Sequence, residues 1–357
     1  VTILIIHLNL REANMRAKRR LLASVTVLAM VISACGVGGS DPTSTTAGDG
    51  GVGAESLTVV ATTSILGDVV SNVIGDDATL EVIIPVGADA HDFQASPQQV
   101  SILSTADLVV AVGLGLEEGL HDALEGAETD GAHVLEVASL VDPLPFGESE
   151  ACESDEAEDH DHEDHDDEEG TEDHDHDEHD HGSCDPHIWM DPLRMAEAAH
   201  LIAEELEEIA PGRGWEERAE AYANDLSQAN DEIIAILSGI PEASRKLVTN
   251  HEALGYFASA YDFEIVGVVI PGGSTLGDPS SAELAALVDV IREQQVSAIF
   301  TDLSSPSGLA ETVAEEAGSE ISVVGLYTES LGEPGSGADT LIGMLTTNAQ
   351  SVADGLS

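Results

Sequence analysis

The sequence predicts an α/β protein made of two parallel-sheet (βα) domains joined by one long, rigid helix. Two stretches in which short β-branched runs alternate with helical patterns carry that prediction, because such alternation builds parallel sheets. Between them, Trp215 to Leu237 keeps helical apolar spacing at Ala219, Tyr222, Ala223, Leu226, Ile233, Ile236 and Leu237. At 1.5 Å per residue that helix is roughly 35 Å long, enough to cross a whole domain. The length of 357 residues suits two domains of ordinary size.

In the first half, strand-like runs occupy Leu57–Ala61, Leu80–Pro85, Asp107–Val112 and His133–Val137. Ser64 opens a helical pattern through Ile74, and Ser96-Pro97 reads as N-cap and first residue of a helix through Leu103. Asp191-Pro192 opens a further helix to Ile209, which Pro211-Gly212 stops. In the second half the strand-like runs are Lys246–Thr249, Glu264–Val269, Ser297–Thr301 and Ile321–Leu326. Ser280-x-x-Glu283 is a capping box for a helix to Gln294, Ser305-Pro306 opens another to Ala317, and a final helix spans Asp339 to Val352. These readings place an N-terminal α/β domain over 57–190, a helical connection over 191–244 and a C-terminal α/β domain over 245–357.

Ahead of the first strand, Arg16, Lys18, Arg19 and Arg20 precede an apolar run from Leu21 to Ile32, then Ser33, Ala34 and Cys35. A basic head, a short apolar run and small residues describe an export signal over 1–35, and Met15 opens a conventional one by itself. Ile32-Ser33-Ala34-Cys35-Gly36 resembles a bacterial lipobox, which implies lipidation of Cys35 and anchoring at the outer face of the cell membrane. Residues 36–56 are mostly Gly, Ser, Thr and Asp, a flexible tether.

The chain carries 69 acidic residues against 11 Lys plus Arg, a formal net charge of -58. That excess disfavours nucleic acid, anionic membranes and phosphate-rich ligands, and favours cations. A hydrophobic content of 42% excludes wholesale disorder. Nineteen of the acids crowd into residues 150–181 together with His160, His162, His165, His174, His176, His179 and His181. With almost no apolar residue, the segment 150–183 is expected to be a disordered loop within the first domain. Its imidazoles point to auxiliary, low-affinity zinc collection. Cys152 and Cys184 flank the loop, and an exported pair is expected to form a disulfide worth roughly 3–4 kcal/mol by chain entropy. Two thiols, or soft metal ligands, are the alternative.

Three histidines outside that loop stand in distinctive strings. His91 lies in Gly87-Ala88-Asp89-Ala90-His91-Asp92-Phe93, His187 in Asp185-Pro186-His187-Ile188-Trp189-Met190-Asp191-Pro192, and His251 in Asn250-His251-Glu252-Ala253-Leu254-Gly255-Tyr256-Phe257. Taken singly, each could be an ordinary hydrogen-bonded histidine. With Thr62-Thr63-Ser64, Ala106-Asp107-Leu108-Val109-Val110 and Ala298-Ile299-Phe300-Thr301, they resemble the zinc and manganese solute-binding proteins of ABC transporters, the ZnuA/TroA-like cluster A-I family. The resemblance runs from Leu57 to the C-terminus, and an acidic His-rich loop at this position is familiar from the zinc members.

The resemblance implies that His91, His187 and His251 bind one metal ion in the cleft between the domains. It also implies a fourth ligand where the family carries Asp in a Leu-Tyr-Thr-Asp-Ser-Leu string. Here that string is Leu326-Tyr327-Thr328-Glu329-Ser330-Leu331, so the carboxylate is Glu329, one methylene longer. It coordinates directly, reaches through a water, or leaves a position open. Asp302-Leu303-Ser304-Ser305 departs from the family's Glu-Pro-Gln-type string and leaves Asp302 without an assigned role. Three imidazoles and a carboxylate fill a tetrahedral shell at about 2.0–2.2 Å, which favours Zn2+ over the alternative Mn2+. Asp89, Asp92, Glu252 and Asp185 are candidates for orienting the imidazoles.

The implied function is an extracytoplasmic lipoprotein, monomeric, that captures Zn2+ and delivers it to an ABC permease and its ATPase. It has no bond chemistry and no nucleic-acid partner, and it touches the membrane only through its lipid anchor. A manganese or iron carrier and a metal-buffering adhesin are the alternatives. A zinc hydrolase with Glu329 as general base lacks any nucleophile elbow or substrate-pocket signature.

Beyond residue 35 the chain has 68 acids against 6 bases, with Lys246 the only lysine. Such a surface resembles adaptation to a saline setting. The unfolding temperature is therefore expected to rise with added salt up to molar levels; a flat or falling melting curve would contradict it.

Overall fold

The computed structural model describes residues 57–146, 152, 184–318 and 320–357. The export signal with Cys35, the tether 36–56 and the acidic loop with its histidines from His160 to His181 lie outside the described residues. Each half of the chain forms a four-stranded sheet of short strands. β1 (Thr58–Ala61), β2 (Thr79–Val82), β3 (Leu108–Ala111) and β4 (His133–Glu136) pair in the order β2-β1-β3-β4. β5 (Lys246–Thr249), β6 (Glu264–Val268), β7 (Ala298–Asp302) and β8 (Ser322–Leu326) repeat that order as β6-β5-β7-β8. Every pairing is parallel. Parallel strands are covered on both faces, which is why β3 and β7 are buried along their whole length.

Nine α-helices stand among the described residues: α1 (Ser64–Ile74), α2 (Pro97–Leu103), α3 (His121–Asp130), α4 (Pro192–Ile209), α5 (Trp215–Leu237), α6 (Gly255–Tyr261), α7 (Ser281–Gln294), α8 (Gly308–Ala317) and α9 (Leu341–Gly355). Local chemistry explains their starts. Thr63 accepts the Leu66 N–H, and Ser96 with Gln99 and Ser280 with Glu283 form reciprocal capping boxes. Two helices begin later than the sequence suggests. Ser304 donates its N–H and hydroxyl to Asp302 Oδ1, which turns the chain and delays α8 to Gly308. Thr340 is the cap of α9, accepting the Gly343 N–H, while the Asp339 carboxylate accepts the Gly335 N–H instead. Neither α3 nor α6 is among the elements expected from the sequence. In α3 only Leu124 and Ala127 are buried, and α6 is two turns long, so neither shows a helical apolar stripe.

One apolar cluster runs from the first sheet through the buried faces of α4 and α5 to the inner face of the second sheet. A smaller cluster around Val248, Leu287, Ile291, Ile299 and Val313 covers the outer face of the second sheet. Neighbours on one strand divide between the two, Leu247 and Phe300 inward, Val248 and Ile299 outward, as the pleat requires. The junction between the sheets is broader than one helix. α5 packs against α4 and α1, and α9 returns from β8 to lie along α5 as well. Trp215, fully buried, anchors the start of α5 with the Arg218 guanidinium 4.9 Å above its ring.

Cys152 and Cys184, the pair expected to form a disulfide, stand as two neighbouring thiols among the described residues. Burial, and then the hydrogen bond with Cys184, push the Cys152 thiol up to about 12.

Asp68 fastens three helices at the junction. Its Oδ2 accepts the Tyr222 hydroxyl of α5 at 2.8 Å and the Leu341 N–H of α9 at 3.1 Å. Burial raises its carboxyl above the usual range, the two donors opposing that shift. Asp68→Ala is expected to lower unfolding free energy by about 1–3 kcal/mol for each group left unpaired, read by denaturant titration. Ligand affinity of the folded fraction should stay unchanged.

Candidate metal centre

Open parallel sheets place ligands beyond the carboxyl ends of their strands, where the strand order reverses. Both sheets do so here. His91 lies in the loop after β2, His251 two residues after β5 and Glu329 three residues after β8. His187 opens a 3-10 turn, Ile188–Met190, that leads into α4. The four side chains converge: one nitrogen or carboxylate oxygen from each lies within 4.8 Å of all the others, and all four residues are buried.

The Glu329 carboxylate is the centre of this cluster. Its Oε2 lies 3.6 Å from His91 Nε2, and its Oε1 lies 3.7 Å from His187 Nε2 and 3.0 Å from His251 Nε2. Ligand atoms around one tetrahedral ion with bonds of about 2.1 Å stand about 3.4 Å apart, so these spacings suit a single small cation. The 3.0 Å approach of His251 misses hydrogen-bond geometry. Consequently His187 Nε2, both ring nitrogens of His251 and both Glu329 oxygens are buried without a hydrogen-bond partner. Buried polar atoms left so cost roughly 1–3 kcal/mol each, and coordination to a cation would satisfy His187 Nε2, one His251 nitrogen and the Glu329 carboxylate together.

Neighbouring groups fix the ring orientations. Asp185 Oδ1 accepts the His187 Nδ1–H at 2.7 Å and the His187 backbone N–H at 2.9 Å. That bond directs the Nε2 lone pair of His187 at Glu329. Gly255, the first residue of α6, makes room for it: a Cβ there would stand 2.4 Å from Asp185 Oδ2. The adjoining Tyr256 hydroxyl donates to the Asp185 carbonyl at 2.7 Å and accepts the Leu144 N–H at 3.0 Å. Trp189 donates its indole N–H to the Thr328 carbonyl at 2.8 Å and meets the His187 ring edge-on. Sequence reasoning passed over Gly255, Tyr256 and Trp189. All three lie within the quoted motif strings, but only their packing reveals which atoms they serve.

Of the four carboxylates expected to orient imidazoles, Asp185 meets a ring nitrogen. Asp89 instead accepts the backbone N–H of His91 at 3.0 Å and the Thr275 hydroxyl at 2.6 Å, linking the loops after β2 and β6. Asp92 lines a cavity of about 760 Å3 beside His91, shared with Glu117, Glu118, His121 and Glu136. Glu252 lines a separate groove with Asp185 and Gly255.

Charge within the cluster is strongly biased. Burial alone would raise the Glu329 carboxyl, but the close approach of His251 and the charges of all three imidazoles hold it down at about 2. Burial alone would likewise lower His187. The hydrogen bond and charge of Asp185, with Glu329 and Asp89, raise it above 6.5 instead. A proton at His187 therefore competes with a cation for Nε2. Cation affinity should be full above the raised pKa of His187 and fall as pH drops through it. Calorimetric titrations from pH 8.5 to 5.5 read this directly, and constant affinity across that range would contradict it.

A family model described as zinc-uptake complex component A, periplasmic (ZnuA), matches residues 59–355. The chain is 28% identical over 341 residues to the manganese-binding lipoprotein MntA of Halalkalibacterium halodurans, covering 95% of this chain and 99% of that one. It is 26% identical over 305 residues to the zinc-binding protein TroA of Treponema pallidum, covering 84% and 88%. It is 25% identical over 336 residues to the iron-binding protein YfeA of Yersinia pestis, covering 94% of each. The solved structure of the Treponema pallidum periplasmic zinc-binding protein TroA superposes with a TM-score of 0.70 at 25% identity, covering 85% of this chain and 99% of that one.

Proposed function

The chain belongs to the ZnuA family of metal-binding substrate-binding proteins of ABC transporters, and from that premise we propose that it captures Zn2+ outside the cytoplasm and delivers it to an ABC permease and its ATPase. The family comprises transport components and not enzymes, so the hydrolase reading is set aside. The observation that carries the zinc reading is the buried convergence of three imidazoles and one carboxylate, in which His187 Nε2, the His251 ring nitrogens and both Glu329 oxygens have no hydrogen-bond partner. Imidazole-rich tetrahedral sites suit Zn2+, whereas Mn2+ prefers more carboxylate oxygen.

One observation favours a second reading. Both Glu329 oxygens face imidazoles, Oε2 toward His91 and Oε1 toward His187 and His251. A carboxylate chelating through both oxygens would raise the donor count to five and admit Mn2+ or Fe2+, the ions after which MntA and YfeA are described. Around the centre, the proposed domains 57–190 and 245–357 would close on the ion, with 191–244 as a stiff helical connection. Cys35 would carry the lipid anchor of a monomer, and the histidines from His160 to His181 would gather zinc weakly nearby. No helix among the described residues is long and apolar enough to cross a membrane.

The purified chain from residue 36 onward should bind one Zn2+ tightly and several weakly, and should bind Mn2+ less tightly than Zn2+. Deleting residues 153–183 should remove only the weak equivalents. Isothermal titration with inductively coupled plasma metal analysis measures both. Loss of the tight equivalent in the deletion would sink the two-site reading, and equal Zn2+ and Mn2+ affinities would favour chelation by Glu329.

A further inference from the structure

We propose that Asp302 is a positioning residue for metal capture: its carboxylate fixes the backbone beneath Glu329 so that the Glu329 side chain faces the three imidazoles. The proposal rests on the reading of Glu329 as a metal ligand and deepens it.

Asp302 is the last residue of β7 and is buried at 3% exposure. Its Oδ2 accepts the Thr328 N–H at 3.1 Å, the Glu329 N–H at 3.2 Å and the Thr328 hydroxyl. Its Oδ1 accepts the N–H and hydroxyl of Ser304. Five donors converge on one carboxylate, and an ionised carboxylate, being acceptor-only, matches such a set. Two of those donors are the successive amides of Thr328 and Glu329, one on each side of the Thr328 Cα, so the backbone entering Glu329 is held in place.

The remaining ties of this loop act at other residues. Thr328 accepts the Trp189 indole through its carbonyl, and Tyr327 is held by the Asn348 amide at 2.9 and 2.8 Å. Ser330 Oγ accepts the Gly87 N–H at 2.7 Å, and the Leu331 N–H donates to Ser64 Oγ at 3.2 Å. Among these contacts, Asp302 is the group that holds the Glu329 amide. Glu has one more side-chain torsion than Asp, so a fixed backbone limits how far its longer arm can stray from the ion. Asp302 then has a role that its departure from the family string concealed.

The test is a double-mutant cycle on the full chain with Asp302→Ala, Glu329→Ala and both together. Zn2+ affinity is read by competition with a chromophoric chelator, and ligand geometry by the visible d–d absorption of the Co2+-loaded protein. Asp302→Ala should weaken Zn2+ binding by about 10–100-fold and alter the Co2+ spectrum, as loss of a ligand-orienting group does. In the Glu329→Ala background the same substitution should change affinity by less than about twofold, because Asp302 then has no ligand left to position and the two sites are coupled. Equal losses in both backgrounds would overturn the proposal, since a charge effect or general loosening would act without Glu329. The isosteric Asp302→Asn, with two donors turned into the amides, carries the same expectation where Asp302→Ala does not fold. If Glu329→Ala alone leaves Zn2+ affinity unchanged, the ligand reading itself fails; if it weakens binding while Asp302→Ala is additive, only the positioning role fails.

Discussion

A carboxylate buried among three imidazoles cannot be left to itself. Desolvation works against its charge, and here only the imidazoles around it hold Glu329 ionised. His187 Nε2, the His251 ring nitrogens and both Glu329 oxygens lack hydrogen-bond partners, so the free energy of this point depends on what occupies it. Much of the surrounding structure serves to bring these four side chains together from distant parts of the chain and to hold them against mutual disorder.

The repeated strand order supplies the convergence. Both sheets are all-parallel and reverse direction of winding between their first and third strands, so each opens a crevice at its carboxyl ends. The first sheet contributes His91 and the second contributes His251 and Glu329. His187 comes from the turn that starts the helical connection, and its ring is held by Asp185 and, through Trp189, tied to the Glu329 loop. The same segments thus join the sheets and orient the ligands. A core that continues through α4 and α5, reinforced by α9 and by Asp68, opposes large relative movement of the two sheets.

Electrostatics act at two ranges. At short range Asp185 raises the basicity of His187, so that a proton competes with any cation for its Nε2. At long range the chain's net charge of -58 raises the local concentration of any cation, whatever its identity. Selectivity has to come from the cluster itself. Relatives of comparable similarity are described as binding manganese, zinc and iron.

The sequence by itself determined the elements whose cause is local. Capping at Ser96 and Ser280, the proline at position 192 and the apolar spacing of Trp215–Leu237 each lie within a few residues, and the helices they define stand where they were expected. The strings around His91, His187, His251 and Glu329 were legible through resemblance, though no spacing rule joined them. The tertiary structure decided the rest. It alone shows that Gly255 clears space for Asp185, that Trp189 reaches a carbonyl 139 positions away, and that Asp302 holds the Glu329 amide. It also adds α3 and α6, whose residues carry too little apolar periodicity to announce a helix. The physical reason is range. Caps and periodicity are interactions between near neighbours in the chain, whereas a coordination cluster is fixed by packing between segments that sequence proximity does not relate.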